Sequence, residues 1–289
     1  MNLVKMTGQP IYLQYLPEYN VFAISDEDVA KYEGQNTAPY ITLNPADYQL
    51  LQEPLPTKEM PTVGFLCCRE QNYYSVDFNY AKSLAHSGVN LRFLTYRDCV
   101  AQMQDIDALM LPGGRFASPP EFYIKPLPEY PPAGLRAQAY IACIKEAQKR
   151  RLPMLGVCAG AQMIACMHGF KLYHNIADSI STDLEHKTPQ LEAHTIQIKP
   201  QSLLHRLLKT TEAVVNSRHV EAIVNDSADS DLEIYAFAPD DVPEAWGSEA
   251  QNILCIQWHP EDFAAAGNQK MQNLYNWLAE QAVIYHAQK

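Results

Sequence analysis

A cysteine between two glycines, at the junction of an apolar strand and a helix, constrains this chain more than any other feature. The segment is Leu155-Gly156-Val157-Cys158-Ala159-Gly160-Ala161-Gln162. Glycines at these positions let the backbone turn sharply enough to present a side chain at the end of a sheet. A thiol there lies at a helix N-terminus, where the helix dipole favours the thiolate. The pattern predicts a nucleophile elbow; a buried structural cysteine is the alternative.

A second motif lies about a hundred residues downstream, in Asn252-Ile253-Leu254-Cys255-Ile256-Gln257-Trp258-His259-Pro260-Glu261. A spacing of two places the histidine and the glutamate on one face of an extended segment. Cysteine catalysis needs a base, and the base needs a partner that fixes its tautomer. We therefore predict a catalytic triad of Cys158, His259 and Glu261. The alternatives are a strand-end histidine bonded to backbone and an acid near the start of a helix after Pro260.

Backbone amides in glycine-containing turns are suited to stabilising a tetrahedral oxyanion. Gly113 and Gly114 follow a predicted strand in Leu111-Pro112-Gly113-Gly114, and Ala159 follows the nucleophile directly. These three amides are the predicted oxyanion hole. An ordinary strand-ending turn is the alternative for the glycine pair.

The combination of G-x-C-x-G-x-Q with a late Q-W-H-P-E resembles the class I glutamine amidotransferase superfamily. Within it the chain is most similar to the gamma-glutamyl-gamma-aminobutyrate hydrolase group. Further segments carry that similarity: the glycine pair with Pro120 and Tyr123, Leu184-Glu185-His186-Lys187, and Val215-Asn216-Ser217-Arg218-His219. The match runs from about residue 61 to the C-terminus.

The resemblance implies a cysteine-dependent hydrolase that cleaves gamma-glutamyl amide bonds through a glutamyl thioester and releases glutamate. It also implies that Gln162, Asn216, Ser217 and His219 hold the glutamyl group. The structural alternatives are a helix residue bonded to a neighbouring loop and a polar turn. His186 and His194 are expected to be solvated loop residues outside the site.

The sequence differs from the gamma-glutamyl-gamma-aminobutyrate hydrolase group at three places. These differences concern recognition of the leaving amine rather than the residues expected to carry out acyl transfer. The group commonly has arginine where Ala159 stands and an aspartate where Phe116-Ala117-Ser118 stands. Its glutamine after the N-S-x-H motif is replaced by Val220-Glu221. The amine half of the substrate therefore stays open.

The composition of the chain limits the classes of partner that it is expected to bind. The chain has 289 residues, 47% of them apolar, and a formal net charge of −11. This charge repels polyanions, so neither nucleic acid nor an anionic membrane is expected as a partner. Seven scattered cysteines indicate reduced core thiols, and no zinc-like ligand spacing occurs. We expect neither metal nor cofactor.

The N-terminus lacks the apolar region of a signal peptide, and the chain contains no apolar run of membrane-spanning length. We therefore expect a cytoplasmic protein. Its expected partner is a small gamma-glutamyl substrate, and a homo-oligomer is left open.

Two regions are predicted. Residues 1–60 form an N-terminal extension with a hairpin of residues 10–16 and 21–24, followed by a proline-rich connector. Residues 61–289 alternate strands and helices, which predicts an α/β fold with a mostly parallel central sheet and helices on both faces, a flavodoxin-like three-layer sandwich. Predicted strands are 62–67, 91–94, 108–111, 153–157, 195–198, 213–215, 232–237 and 252–257, and predicted helices are 78–86, 135–150, 202–208 and 268–286. The last two strands are predicted to be antiparallel, because the loop between them is too short for a crossover helix.

Three functions fit these patterns. The first is a stand-alone hydrolase of gamma-glutamyl amides. The second is a glutaminase subunit that supplies ammonia to a separate synthetase. The third is a binding or regulatory protein that kept the fold without catalysis, which the joint presence of the three triad residues disfavours.

Overall fold

Strands and helices alternate through most of the chain. The computed structural model describes residues 10–32, 40–114, 118–125, 134–226 and 230–289. The strands are Pro10–Leu16 (β1), Val21–Ser25 (β2), Tyr40–Leu43 (β3), Thr62–Leu66 (β4), Cys68–Glu70 (β5), Tyr73–Asp77 (β6), Asn90–Leu94 (β7), Ala108–Leu111 (β8), Met154–Val157 (β9), Leu172–Tyr173 (β10), His194–Ile198 (β11), Glu212–Val215 (β12), Ala222–Ile223 (β13), Glu233–Phe237 (β14), Pro243–Ser248 (β15) and Ile253–Ile256 (β16). The α-helices are Asp26–Ala30 (α1), Pro45–Leu51 (α2), Phe78–His86 (α3), Cys99–Gln102 (α4), Leu135–Arg150 (α5), Ala159–Met167 (α6), Ile176–Ser179 (α7), Leu203–Leu208 (α8), Pro260–Ala265 (α9) and Gln269–His286 (α10).

Within the described residues, one sheet contains fourteen strands in the order β12-β11-β14-β15-β16-β9-β8-β4-β7-β3-β1-β2-β6-β5. Its central strands β16-β9-β8-β4-β7 are parallel. The strands β12-β11-β14-β15 continue it in antiparallel pairs on one side. The predicted α/β fold with a mostly parallel centre is confirmed.

Strands β8, β9 and β16 are apolar throughout because both faces of the sheet are covered. In β8, Ala108 and Met110 face one core while Leu109 and Leu111 face the other. Helices α3, α8, α9 and α10 pack on the first face, and α4, α5 and α6 pack on the second. This arrangement explains why these strands lack the polar alternation of half-exposed strands.

The segment before residue 61 extends the sheet at the edge beyond β7. Strands β1 and β2 form an antiparallel hairpin, and β1 runs parallel to β3. Strand β3 joins the main sheet through Ile41 opposite Phe93. An ion pair also ties the segment down, because Asp26 accepts hydrogen bonds from Arg69 and Arg97. The boundary at residue 60 stays a prediction.

The prediction that the strands at residues 232–237 and 252–257 are antiparallel is wrong. Strand β15 lies between β14 and β16 and pairs antiparallel with both. Its sequence, Pro243-Glu244-Ala245-Trp246-Gly247-Ser248, contains a proline, a glutamate and a glycine, which are depleted in strands. Tertiary burial overrides this preference, since Glu244 is fully buried. Among the described helices, none combines the length and apolar character needed to cross a bilayer.

Helix α6 approaches the end of β8 so closely that only glycine fits at the contact. A Cβ on Gly160 would lie 2.2 Å from the Leu111 carbonyl oxygen and 2.9 Å from that of Pro112. A Cβ on Gly156 would lie 2.8 Å from the Cα of Ala161. Both glycines of the elbow motif are therefore required by packing.

We predict that Gly160→Ala destabilises the fold by about 1–3 kcal/mol, because backbone must move to relieve the overlap. Urea denaturation followed by circular dichroism measures this change. Gly134→Ala is the matched control: its Cβ would meet nothing within 4 Å, so its effect should stay below about 1 kcal/mol. Equal losses in the two variants would contradict the steric explanation.

Candidate active site

Cys158 occupies the sharp turn between β9 and α6. Its backbone has φ 50° and ψ −114°, a region that residues other than glycine rarely adopt. Two hydrogen bonds fix the turn: the Cys158 amide donates to the Ile256 carbonyl at 2.7 Å, and its carbonyl accepts from the Gln162 amide at 3.0 Å. The side chain is buried at the base of a pocket. This backbone is that of a nucleophile elbow.

His259 reaches the same place from the neighbouring strand. Strands β9 and β16 are parallel, with Val157 opposite Ile256, so the residues that follow them leave the same edge of the sheet. The His259 ring and the Cys158 side chain line the same pocket and both border Gly113: a Cβ on that glycine would lie 2.7 Å from Cε1 of His259 and 3.0 Å from Cβ of Cys158. The structure thus brings together two side chains that are about a hundred residues apart in sequence.

Two further groups fix the orientation of His259. Its Nδ1 lies 2.6 Å from Oε1 of Glu261, a buried carboxylate that can hold the ring and stabilise its charged form. Asn216 clamps its backbone: the His259 amide donates to Asn216 Oδ1 at 2.7 Å, and Asn216 Nδ2 donates to the His259 carbonyl at 2.9 Å. The predicted triad residues are therefore assembled as a connected chain of side chains.

The electrostatics of this chain favour a thiolate beside an imidazolium. Burial alone would raise the pKa of the Cys158 thiol, but the charge of His259, its hydrogen bond to the sulfur, His219 and the Ala159 amide together lower it. Burial would conversely lower the pKa of His259, but Glu261 and Cys158 raise it well above the ordinary value. The Cys158 thiolate and the His259 imidazolium therefore stabilise each other in the buried site, and Glu261 stabilises the imidazolium further.

Of the three predicted oxyanion donors, Gly113 is already engaged. Its amide donates to the Tyr80 hydroxyl at 3.2 Å, and its carbonyl accepts from Arg136. The sequence did not indicate this contact because Tyr80 comes from α3. Gly114 and Ala159 both line the pocket, so their assignment stays a prediction.

The pocket has a volume of about 600 Å³, which suits a small molecule. It is lined by Gly114, Ser118, Cys158, Ala159, Gln162, His174, Lys187, Arg218, His219, Val220, Glu221 and His259. Phe116 and Ala117, where the related group commonly has an aspartate, lie outside the described residues.

The four residues predicted to hold substrate divide into two pairs. Gln162 and His219 line the pocket, and Gln162 Nε2 also donates to the Glu221 carbonyl at 2.8 Å. Asn216 and Ser217 are instead fully buried and bonded to backbone. Ser217 Oγ donates to the His186 carbonyl at 2.7 Å, and Asn216 holds His259 as described. The side chains of these two residues fix the loops around the site, and their assignment to substrate binding stays a prediction.

Sequence reasoning missed the charged residues at the pocket wall. Lys187 and Arg218 form an isolated antiparallel bridge, and both residues line the pocket. The Arg218 guanidinium also pairs with Asp262 at 2.6 Å. Glu221 also faces the pocket; burial raises the pKa of its carboxyl to about 7, and the Tyr123 hydroxyl donates to it at 2.9 Å. Lys187 and Arg218 do lie within the quoted family-like segments, which was the available signal.

The fold and the assembled cysteine, histidine and glutamate define a class I glutamine amidotransferase-like protein. A family model described as peptidase C26 matches residues 68–261, and the chain belongs to that family. The predicted resemblance is thereby confirmed.

Similar proteins differ in what their names say. The chain is 31% identical to protein NtpR of Enterococcus hirae over 188 residues, which is 63% of this chain and 77% of that protein. It is 25% identical to the gamma-glutamyl-gamma-aminobutyrate hydrolase PuuD of Escherichia coli K12 over 220 residues, 70% of this chain and 85% of that protein. The crystal structure of a glutamine amidotransferase from Thermotoga maritima is similar in fold, with a TM-score of 0.54 at 13% identity, covering 77% of this chain and 98% of that one.

We predict that iodoacetamide alkylates Cys158 at a rate that stays high as the pH falls below the thiol's ordinary pKa of 9.0, because the lowered pKa keeps the thiolate populated there. Removing the positive charge in His259→Gln leaves burial dominant, which should raise the pKa and slow neutral-pH alkylation about tenfold or more. Mass spectrometry of the Cys158 peptide measures the rate.

Cys255 is the internal control for this experiment. It is fully buried and burial raises its pKa, so it should stay unlabelled. Equal labelling rates for Cys158 in the parent chain and in His259→Gln would contradict the ion pair.

Proposed function

We propose that the protein hydrolyses gamma-glutamyl amides of small amines. The observation that carries this proposal is the buried thiol of Cys158 at an elbow, in contact with a histidine that Glu261 orients, at the base of a small-molecule pocket. Membership of the peptidase C26 family and the similarity to PuuD support the same substrate class.

In the proposed acylation step, the Cys158 thiolate attacks the gamma-carbonyl carbon of the substrate and forms a carbon–sulfur bond. The carbonyl oxygen becomes an oxyanion, for which the amides of Gly114 and Ala159 are the candidate donors. Collapse of this intermediate breaks the carbon–nitrogen bond as His259 donates its proton to the leaving amine. The products are a glutamyl thioester and a free amine.

In the proposed deacylation step, the now neutral His259 takes a proton from a water molecule, whose oxygen attacks the thioester carbonyl. The carbon–sulfur bond breaks, the thiolate re-forms beside the protonated histidine, and glutamate leaves. Glu261 stabilises the charged ring at both ends of the cycle. The net reaction consumes one water for each amide.

The charged residues of the pocket favour binding of a gamma-glutamyl group. Lys187 offers positive charge to a carboxylate, with Arg218, whose guanidinium also pairs with Asp262, beside it, and Glu221 offers a carboxyl group to an ammonium. A gamma-glutamyl moiety carries both groups on its alpha carbon. Charge-assisted hydrogen bonds of this kind fix orientation as well as affinity.

A glutaminase subunit is the second candidate, favoured by the similarity in fold to the Thermotoga maritima glutamine amidotransferase. It would use the same chemistry with ammonia as the leaving group. A panel of gamma-glutamyl amines and glutamine, assayed for released glutamate, separates the two. Turnover of glutamine alone, raised by a co-purifying synthetase, would favour the second candidate.

We expect Cys158→Ala to abolish glutamate release from every substrate of that panel while circular dichroism and the unfolding midpoint stay near those of the parent chain. The reason is that the substitution removes the attacking sulfur atom. Cys255→Ala, a buried cysteine in the adjacent strand β16, is the matched control and should retain activity. Comparable loss in both variants, or residual turnover in Cys158→Ala, would contradict the mechanism.

We further expect Lys187→Met to raise KM about tenfold or more with a smaller change in kcat, because a lost charge-assisted contact mainly weakens substrate binding. Steady-state kinetics with the best panel substrate measure both constants. Lys199→Met is the control, since Lys199 is an exposed residue paired with Glu233. An unchanged KM in Lys187→Met would remove this residue from the proposed binding set.

A further inference from the structure

Three histidines surround one carboxylate behind the pocket wall. His186 lies in the loop before β11, and His194 is the first residue of β11. His219 lies in the loop between β12 and β13, and Glu244 is in β15. The three histidines are at most 6% exposed, and Glu244 is not exposed at all. An ionised carboxylate buried this deeply requires compensating charge or strong hydrogen bonds.

Three ring nitrogens face one oxygen of Glu244 at distances close to those between neighbouring ligand atoms of a metal site. Oε1 of Glu244 lies 3.1 Å from Nε2 of His194, 3.6 Å from Nε2 of His219 and 3.8 Å from Nδ1 of His186. Bonds of about 2.1 Å in a tetrahedral zinc site place neighbouring ligand atoms about 3.4 Å apart. Candidate ligand atoms of His186, His194 and Glu244 also lie within 4.8 Å of one another.

The outward-facing ring nitrogens of His186 and His219 are held as in metal-binding histidines, whereas that of His194, Nδ1, has no hydrogen-bond partner among the described residues. Nε2 of His186 lies 2.9 Å from the Asp240 carboxylate, and Nδ1 of His219 lies 2.9 Å from the Glu221 carbonyl. When each outer nitrogen donates its proton, the inner nitrogen presents a lone pair toward Glu244. A ligating histidine characteristically donates its other N–H to a carboxylate or a backbone carbonyl in this way.

Several atoms of this cluster have unmet hydrogen-bonding capacity. Within the described part of the chain, Nδ1 of His186, Nδ1 of His194, Nε2 of His219 and Oε2 of Glu244 are buried without a hydrogen-bond partner, whereas Nε2 of His194 is hydrogen-bonded to Oε1 of Glu244. When the rings are neutral and their outer nitrogens carry the proton, the lone pairs of His186 and His219 point toward the Glu244 carboxylate, and a cation between them would stabilise this arrangement. Such a cation would be coordinated by Nδ1 of His186, Nε2 of His194, Nε2 of His219 and Oε1 of Glu244.

We propose that His186, His194, His219 and Glu244 bind one divalent transition-metal ion, with zinc the best match to three imidazoles and a carboxylate. The sequence predicted no metal because the four ligands come from separate segments with no regular spacing. The ion would join the loops that carry Lys187 and Arg218 to β15, and so brace the pocket wall. This site does not depend on the proposed hydrolysis.

The test is metal analysis of the full-length chain, produced without a histidine tag. The protein is stripped with a chelator, incubated with zinc chloride and dialysed, and its zinc content is measured by mass spectrometry. We expect one zinc per chain, and for the cobalt-loaded protein the intense visible absorption of a tetrahedral site. Zinc should also raise the unfolding midpoint.

Variants locate the ion. His194→Gln and Glu244→Gln should each lose the stoichiometric zinc and the midpoint shift. His168→Gln should keep both, since His168 is a buried imidazole paired with Asp231 away from the cluster. Cys158→Ala should also keep both, so failure of the proposed catalysis leaves this test unaffected.

A parent chain that retains no zinc after dialysis and gives no tetrahedral cobalt spectrum overturns the proposal, whatever the variants do. Stoichiometric zinc that survives in a folded His194→Gln or Glu244→Gln variant also overturns it. If one of these variants does not fold, the other and the parent chain decide the outcome.

Discussion

The close contact between helix α6 and the end of strand β8 is the constraint on which the site depends. Gly160 must be glycine for the helix to approach the Leu111 carbonyl, and that approach holds Cys158 in its unusual backbone conformation. The parallel pairing of β9 with β16 then delivers His259 to the same edge of the sheet. Two features of the backbone, the close contact of α6 with β8 and the parallel pairing of β9 with β16, therefore set the geometry of the thiol and its base.

Burial decides the electrostatics of this geometry. Desolvation opposes both the thiolate and the imidazolium, so neither charge would persist alone in the core. Their mutual attraction, with Glu261 behind the ring, outweighs that cost. Asn216 and Ser217 contribute by locking loops: one fixes the backbone of His259, and the other ties its own loop to that of His186.

Much of the fold and the triad could be predicted because the signals are local. The glycine spacing around Cys158, the short motif of His259 and Glu261, and the helical periodicity of Phe78–His86 and Leu135–Arg150 all depend on neighbouring residues. What was missed depends on distant packing. Strand β15 contradicts its own propensity, Gly113 is engaged by a tyrosine from α3, and the histidine cluster draws on four separate segments.

The most direct test of the account is to trap the acyl group on the enzyme. The chain is mixed with a gamma-glutamyl anilide in two samples: one is acid-quenched, digested and analysed by mass spectrometry, and the other contains hydroxylamine, which removes the acyl group from the thioester. The account predicts glutamyl hydroxamate formed at the expense of glutamate, and a glutamyl group on the peptide that contains Cys158. Turnover without hydroxamate, or a glutamyl group attached to any other residue, would contradict it.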